Sequence, residues 1–209
     1  VIEIGLWVMA LTEFTVLDCS QKNRLLDIAQ RAIENGMAGV EEDSLTYARK
    51  GGSIFIEEIP NFVSVCVGGQ LRGCIGSLRP ELPLHESVYN NAYSAAFSDH
   101  RFRPLGPDDL SGLVVEISIL SPLQEIRVRD ENDLLEQLVP RKDGLLIEYA
   151  QQRATFLPKV WKSLPGKSQF LLELKRKAGM PDYWWSTDIR CFRYAAVSFS
   201  REIQGQSAG

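Results

Sequence analysis

The stretch FVSVCVGGQLRGCIGSL, residues 62–78, reads as a β-hairpin. Residues 62–67 are rich in β-branched and aromatic types that suit a pleated strand. Gly68-Gly69 then supplies a two-residue turn, since both glycines tolerate positive φ, and residues 70–78 form the return strand. A tight hairpin means neighbouring antiparallel strands, so the fold is built on an antiparallel sheet. The turn also sets an expected register in which Val67 faces Gln70, Cys66 faces Leu71 and Val63 faces Cys74. Cys66 and Cys74 then lie on opposite faces, where no disulfide can join them. Strand alternation places Leu71 and Ile75 on one face and Arg72 and Cys74 on the other.

Outward from the hairpin, residues 23–35 carry apolar residues at helical spacing, with Asp18 and Gln21 as a capping box, Ser20 as a rival cap and Gly36 as terminator. Residues 41–52 are a polar connector, and residues 53–59 read as a strand stopped by Pro60. Pro80 and Pro83 open a helix that runs to Ser98, with Leu84, Val88, Ala92 and Ala95 on one face. A loop leads to the strand 113–120, where Val115, Ile117 and Ile119 alternate with Glu116 and Ser118. A charged stretch, a short helix at 134–139 and strands at 145–149 and 154–157 follow. Lys175-Arg176-Lys177 close a helix over 169–178, where cations suit the helix dipole. Residues 190–199 read as one long strand. The expected class is α+β: an antiparallel sheet with packed helices in two subdomains. The larger comprises residues 1–121 and 166–209, and the smaller, β-rich one is inserted at 122–165.

Composition narrows the function. The chain has 209 residues, with 23 Lys and Arg against 27 Asp and Glu, a net charge of −4 and an isoelectric point of about 5.3. Proteins that neutralise phosphate backbones are usually basic, so nucleic acid is not an expected partner. No apolar run is long enough to span a membrane, and the apolar arm at residues 1–11 lacks the features of a signal peptide. Four cysteines without a C-x-x-C pair, and two histidines, argue against a disulfide scaffold, a zinc site or an iron–sulfur cluster. No metal or cofactor is expected, and the cytoplasm is the expected compartment. The phosphate-loop, nucleophile-elbow, zinc-protease and dinucleotide-binding patterns are all absent.

The densest chemistry lies around Cys74. A thiol two residues from the Arg72 guanidinium is in a setting that favours thiolate, the reactive form. Buried cysteine is also common as a small apolar residue. A nucleophile needs a base, and the candidates are His85, His100, Glu116 and Asp99. Arg101 and Arg103 alternate in an extended loop and could face an anion. Gly73 and Gly76 weaken a strand, so their presence implies the close approach of another backbone, a bulge, or a ligand.

LRGCIGSLRP (71–80) resembles the signature of the AMMECR-type family, named for a chromosomal region deleted in a human syndrome. NAYSAAFSDHRFRPL (91–105), VEISILSPL (115–123), KDGLLIEY (142–149), FLPKVW (156–161) and FLLELKRKAG (170–179) follow in the family's order. The resemblance implies a two-part α+β fold whose larger part uses both chain ends. It also implies an association with a Memo-like protein and a radical-SAM protein in a shared pathway, and it assigns no activity. Three readings stay open. The chain binds a small anionic ligand or peptide in a cleft between the subdomains, lined by Arg72, Gly73, Cys74, Gly76, Arg101 and Arg103. Or it is a cysteine-dependent enzyme with Cys74 as nucleophile or redox thiol and His85, His100 or Glu116 moving the proton. Or it is an interaction module for those pathway partners. The binding reading is preferred, because no base–nucleophile pair is visible in the sequence.

Overall fold

A computed structural model describes residues 17–40 and 53–203. The N-terminal arm, the connector at 41–52 and the tail from 204 lie outside the described residues. The chain divides into two compact units, residues 1–120 with 197–209 and residues 121–196.

The first unit is a four-stranded sheet with helices on one face. Strands β1 (Asn61–Val67), β2 (Gln70–Ser77), β3 (Leu113–Leu120) and β8 (Ala196–Ile203) are ordered β2-β1-β3-β8. The apolar face carries Val63 and Val65 of β1 and Val115, Ile117 and Ile119 of β3. Two helices bury against it. Helix α1 (Cys19–Ala38) supplies Leu25, Ile28, Ala29 and Ile33, and helix α2 (Leu84–Phe97) supplies Leu84, Val88, Ala92 and Ala95. Each large apolar side chain withdrawn from water in this way contributes roughly 1.5–3 kcal/mol. The capping box of α1 forms as expected: Gln21 N–H donates to Asp18 Oδ1 at 2.8 Å, and Asp18 N–H donates to Gln21 Oε1 at 2.9 Å. The helix runs past Gly36, which lies under the Phe97 ring, and ends at Gly39, left-handed at φ 64°.

Residues 53–59 do not form the expected strand. Ser53–Ile56 is a turn of 3-10 helix that buries both Ile54 and Phe55. Two consecutive core residues suit a helical turn, whereas a strand would send one of them to the other face.

The hairpin turn is as read, with Gly68 and Gly69 at φ 57° and 79°, but the register beyond it is corrected. Val67 pairs Gln70 and Cys66 pairs Leu71; the register then shifts by one, so that Val65 pairs Gly73, Ser64 pairs Cys74 and Val63 pairs Ile75. Arg72 is the extra residue of a β-bulge. The bulge brings Leu71 onto the face of Cys74 and leaves Ile75 on the helix side. It also puts Cys66 and Cys74 on one face, contrary to the expected register. They stand diagonally, a spacing of about 7–8 Å between Cα atoms, which is too wide for a bridge. Neither is in a disulfide.

The second unit holds β4 (Gln124–Ile126), β5 (Gly144–Tyr149), β6 (Gln152–Phe156) and β7 (Arg190–Tyr194), in the order β4-β7-β5-β6. Helices α3 (Glu131–Gln137) and α4 (Lys167–Lys177) complete it. The division expected at residue 165 is therefore corrected. Helix α4 buries Phe170, Leu171 and Leu174 with Leu145, Ile147 and Cys191. The Phe170 ring stacks on Trp161, with centroids 3.7 Å apart. The single strand expected at 190–199 is two strands in different sheets. They separate at Ala195, whose N–H donates to Ser121 Oγ and whose carbonyl accepts from Ser121 N–H, both at 2.9 Å. The basic run ending α4 is held by pairing as well as by the helix dipole. Lys175 is buried and donates to Glu131 at 2.9 Å and to the Asp182 carbonyl at 2.6 Å, while Arg176 makes two bonds to Asp182.

Among the described residues of this unit, the buried polar atoms without a hydrogen-bond partner are Asp143 Oδ1 and Trp185 Nε1, and the first carries a titratable cost. Asp143 is fully buried. Its Oδ2 accepts from Val139 N–H at 2.8 Å, while Oδ1 has no hydrogen-bond partner among the described residues. Burial pushes its carboxyl above the usual range. An acid raised in the folded state opposes folding once the pH exceeds its unfolded value near 3.9. Asp143→Asn keeps the shape and the acceptor for Val139. At pH 7 it is expected to raise stability by about 1 kcal/mol, and it should flatten the decline in melting temperature as pH rises from 4. A variant that melts below wild type at pH 7 would contradict this.

Candidate functional site

The bulge and the two strand glycines set the geometry around Cys74. A Cβ built on Gly73 would overlap the carbonyl oxygen of Ala95 in α2, and one on Gly76 would overlap the Asn61 carbonyl. Both glycines thus mark a close approach of backbone rather than a ligand cradle.

Strand β2 is the edge of its sheet, so the outward N–H and C=O of Cys74 need partners. Side chains of the loop after α2 supply them. Cys74 N–H donates to Asp99 Oδ2 at 3.0 Å, and Cys74 C=O accepts from Arg101 Nη2 at 3.1 Å. Asp99 and Arg101 are themselves joined through Nε to Oδ1 at 2.9 Å and Nη2 to Oδ2 at 2.6 Å. Together they stand where a neighbouring strand would stand. The Asp99 side chain is 2% exposed and that of Arg101 is 49% exposed. The Arg101 hydrogen bonds hold the Asp99 carboxyl well below the usual carboxylate range, aided by the Cys74 and Arg101 amides. Asp99 in turn raises the Arg101 guanidinium further, and the nearby Cys74 sulfur adds to this.

A second carboxylate organises the rest. Asp109 is buried and accepts from Arg72 Nη1 at 2.8 Å, Arg103 Nη2 at 3.0 Å and Gly106 N–H at 2.9 Å. These contacts hold its carboxyl low, the Gly106 amide most and then Arg72. Arg72 thus pairs with Asp109. The cation hydrogen-bonded at Cys74 is Arg101, not the sequence neighbour Arg72. The Arg103 side chain remains 67% exposed.

On the face away from the helices, β2, β1 and β3 bring Cys74, Ser64 and Glu116 into one cross-strand row, with Ser64 opposite both neighbours. The buried Ser64 hydroxyl donates to Cys74 Sγ at 3.2 Å. Cys74 is partly exposed.

Neither histidine joins the row. His85 is buried at the start of α2, with Nδ1 2.7 Å from the Phe55 carbonyl. His100 is exposed in the loop. Among the described residues, neither is hydrogen-bonded to Cys74. The helix start turns His85 inward to the 3-10 turn. Sequence reading missed Ser64 and Asp109. Ser64 is legible as a polar residue inside an apolar strand, and Asp109 as a carboxylate three residues after Gly106, where a turn's amide needs an acceptor.

Residues 26–199, which contain all of these groups, match the AMMECR1 family. The chain belongs to the AMMECR1 family. One AMMECR1-family relative, protein MJ0810 of Methanocaldococcus jannaschii, is 38% identical over 136 residues, spanning 62% of this chain and 66% of its own length. A protein of Methanothermobacter thermautotrophicus is 30% identical over 196 residues, covering 91% of this chain and 99% of its own. The crystal structure of uncharacterized protein PH0010 from Pyrococcus horikoshii matches with a TM-score of 0.77 at 30% identity, over 86% of this chain and 90% of that one. The α+β class is common to both structures. No described helix is long and apolar enough to cross a membrane.

Proposed function

We propose that this protein binds a small anionic ligand, a carboxylate or phosphate, at the edge of β2, where Asp99 holds Arg101 against the Cys74 carbonyl and Asp109 holds Arg103 beside Arg72. The supporting observation is the tethering of three guanidinium groups by two buried carboxylates. Three cations against two anions leave one positive charge in this cluster. Arg101 and Arg103 are each held on one side and open to water on the other. A guanidinium fixed in this way loses little further freedom when it binds an oxyanion, and its planar fork suits two oxygens at once.

Inorganic phosphate and a dicarboxylate, titrated at constant ionic strength, test this by thermal melting. A ligand at a hundred times its Kd stabilises by about 2.7 kcal/mol, which raises the melting temperature by several degrees. Arg101→Met and Arg103→Met are expected to abolish that rise. A rise that survives both substitutions, or no rise with either anion in the wild type, overturns the reading.

A further inference from the structure

An open strand edge is a template for another strand, and proteins guard such edges with side chains, bulges or shortness. The two sheets end in β2, β8, β4 and β6. Three of these edges are guarded. On β2, Asp99 and Arg101 take the outward N–H and C=O of Cys74, and the bulge at Arg72 bends the strand. Strand β4 has only three residues. On β6, Lys177 donates to the Thr155 carbonyl at 2.9 Å and lies over the Phe156 ring.

Strand β8 is neither short nor capped. It has eight residues, of which Val197, Ser198, Ser200 and Glu202 are exposed. Leu120 N–H donates to the Pro60 carbonyl, next to β1, and Ser121 N–H donates to the Ala195 carbonyl. Antiparallel alternation then turns the main-chain groups of Ala196, Ser198, Ser200 and Glu202 outward, away from β3. Among the described residues, no side chain is hydrogen-bonded to these groups, and no strand lies beyond them. Arg201 does not guard the edge, because it is turned to helix α1, where it pairs with Asp27 and donates to the Asn23 carbonyl.

We infer that the edge of β8 pairs, antiparallel, with β8 of a second copy of this chain. The strand's own sequence favours itself as the partner. Within the described strand, one register about a two-fold axis brings all four outward residues of both copies into hydrogen-bonded pairs. Ala196 then pairs with the partner's Glu202, and Ser198 with the partner's Ser200. That register sets Phe199, which packs against the core on the helix side, opposite the partner's Phe199, an aromatic cross-strand pair. Arg201 stands opposite the partner's Val197 and Glu202 opposite the partner's Ala196, so no like charges meet. The same patch serves both copies, so the assembly closes at two and does not run on as a fibre. The edge lies at the other end of the sheet from β2 and the Arg101–Arg103 cluster, and the pairing does not depend on anion binding.

Sedimentation equilibrium of the full chain across micromolar concentrations tests this. The mass is expected to rise to twice the 23.5 kDa of one chain. Ser200→Pro removes an N–H that the dimer needs and the monomer does not, and an edge strand tolerates proline at such a position. That variant is expected to keep its circular dichroism and to stay monomeric throughout. Val197 is 39% exposed, so charged residues fit there. Val197→Lys sets a cation opposite the partner's Arg201, and Val197→Glu sets a carboxylate there. With two such pairs in the dimer, the glutamate variant is expected to dimerise about tenfold more tightly than the lysine variant. Should the proline variant fail to fold, this pair of variants decides alone. A wild-type chain that stays monomeric at every concentration overturns the inference and leaves the edge to a strand of another protein. A dimer that survives Ser200→Pro, or that treats lysine and glutamate at 197 alike, has its interface elsewhere and overturns it too.

Discussion

Gly73→Ala is expected to lower stability by about 3–4 kcal/mol, at the upper end for overpacking, and the melting temperature by roughly 10 °C. The added Cβ falls on the Ala95 carbonyl oxygen. That atom is helix backbone and cannot swing aside as the end of a long side chain can. Relief requires the last turns of α2 to lift from β2, which loosens Ala92, Ala95 and Ala96 from a core in which each is buried. Gly68→Ala is the control. Its φ of 57° is costly for alanine, but nothing lies within 4 Å of the new Cβ, so the cost there is only about 1–2 kcal/mol. Circular-dichroism melts of the two variants measure the difference. Equal losses would mean that the approach of α2 to β2 is not what requires glycine at 73.

How much of this was legible in the sequence follows from how local each cause is. The Gly68-Gly69 turn, the Asp18–Gln21 capping box and the alternation of β3 are set by residues within a few positions of one another, and all three formed as read. The hairpin glycines signalled a bulge or a close backbone approach, but neither the place of the bulge at Arg72 nor the partner of Gly73, a carbonyl 22 positions later in α2, could be read from the hairpin. Residues 190–199 show the same limit at the scale of the domains. No Gly, Pro, Asn or Asp interrupts them at Ala195, and only the bonds to Ser121 mark the passage from one sheet to another.

The candidate site divides in the same way. Arg72, Cys74, Arg101 and Arg103 could be picked out by residue type, but their partners could not. A guanidinium buried at a strand edge requires a carboxylate, and sequence offers several within the first unit. Asp109 takes that place because the turn after Gly106 aims it at β2, whereas Glu116 lies two strands away, across Ser64. Ser64 came to notice only when Cys74 was found opposite it, one register step from where the turn alone would set it.

Asp99→Asn is expected to be nearly as costly as the glycine change, for an electrostatic reason. One carboxylate accepts the Cys74 amide, the Arg101 amide and two Arg101 guanidinium bonds. Asparagine has nearly the same shape, but its amide nitrogen can accept none of these, and the charge that holds Arg101 is gone. An unsatisfied buried donor costs about 1–3 kcal/mol, and Arg101, half exposed, recovers part of its own loss by turning to water. The expected total is about 2–3 kcal/mol. The pH dependence identifies the cause. Because the Asp99 carboxyl is held low in the folded state, its contribution is fully present above the unfolded value near 3.9 and fades as the pH falls towards the folded value. The gap between wild type and variant should therefore be constant from pH 5 to 7 and narrow below pH 4. With Arg101 no longer anchored, the variant should also lose the phosphate-dependent rise in melting temperature, even at pH 7, where most of the fold persists. A variant that melts with wild type at pH 7, or a gap that stays constant down to pH 2, would mean that Asp99 does not hold the edge of β2 through its charge.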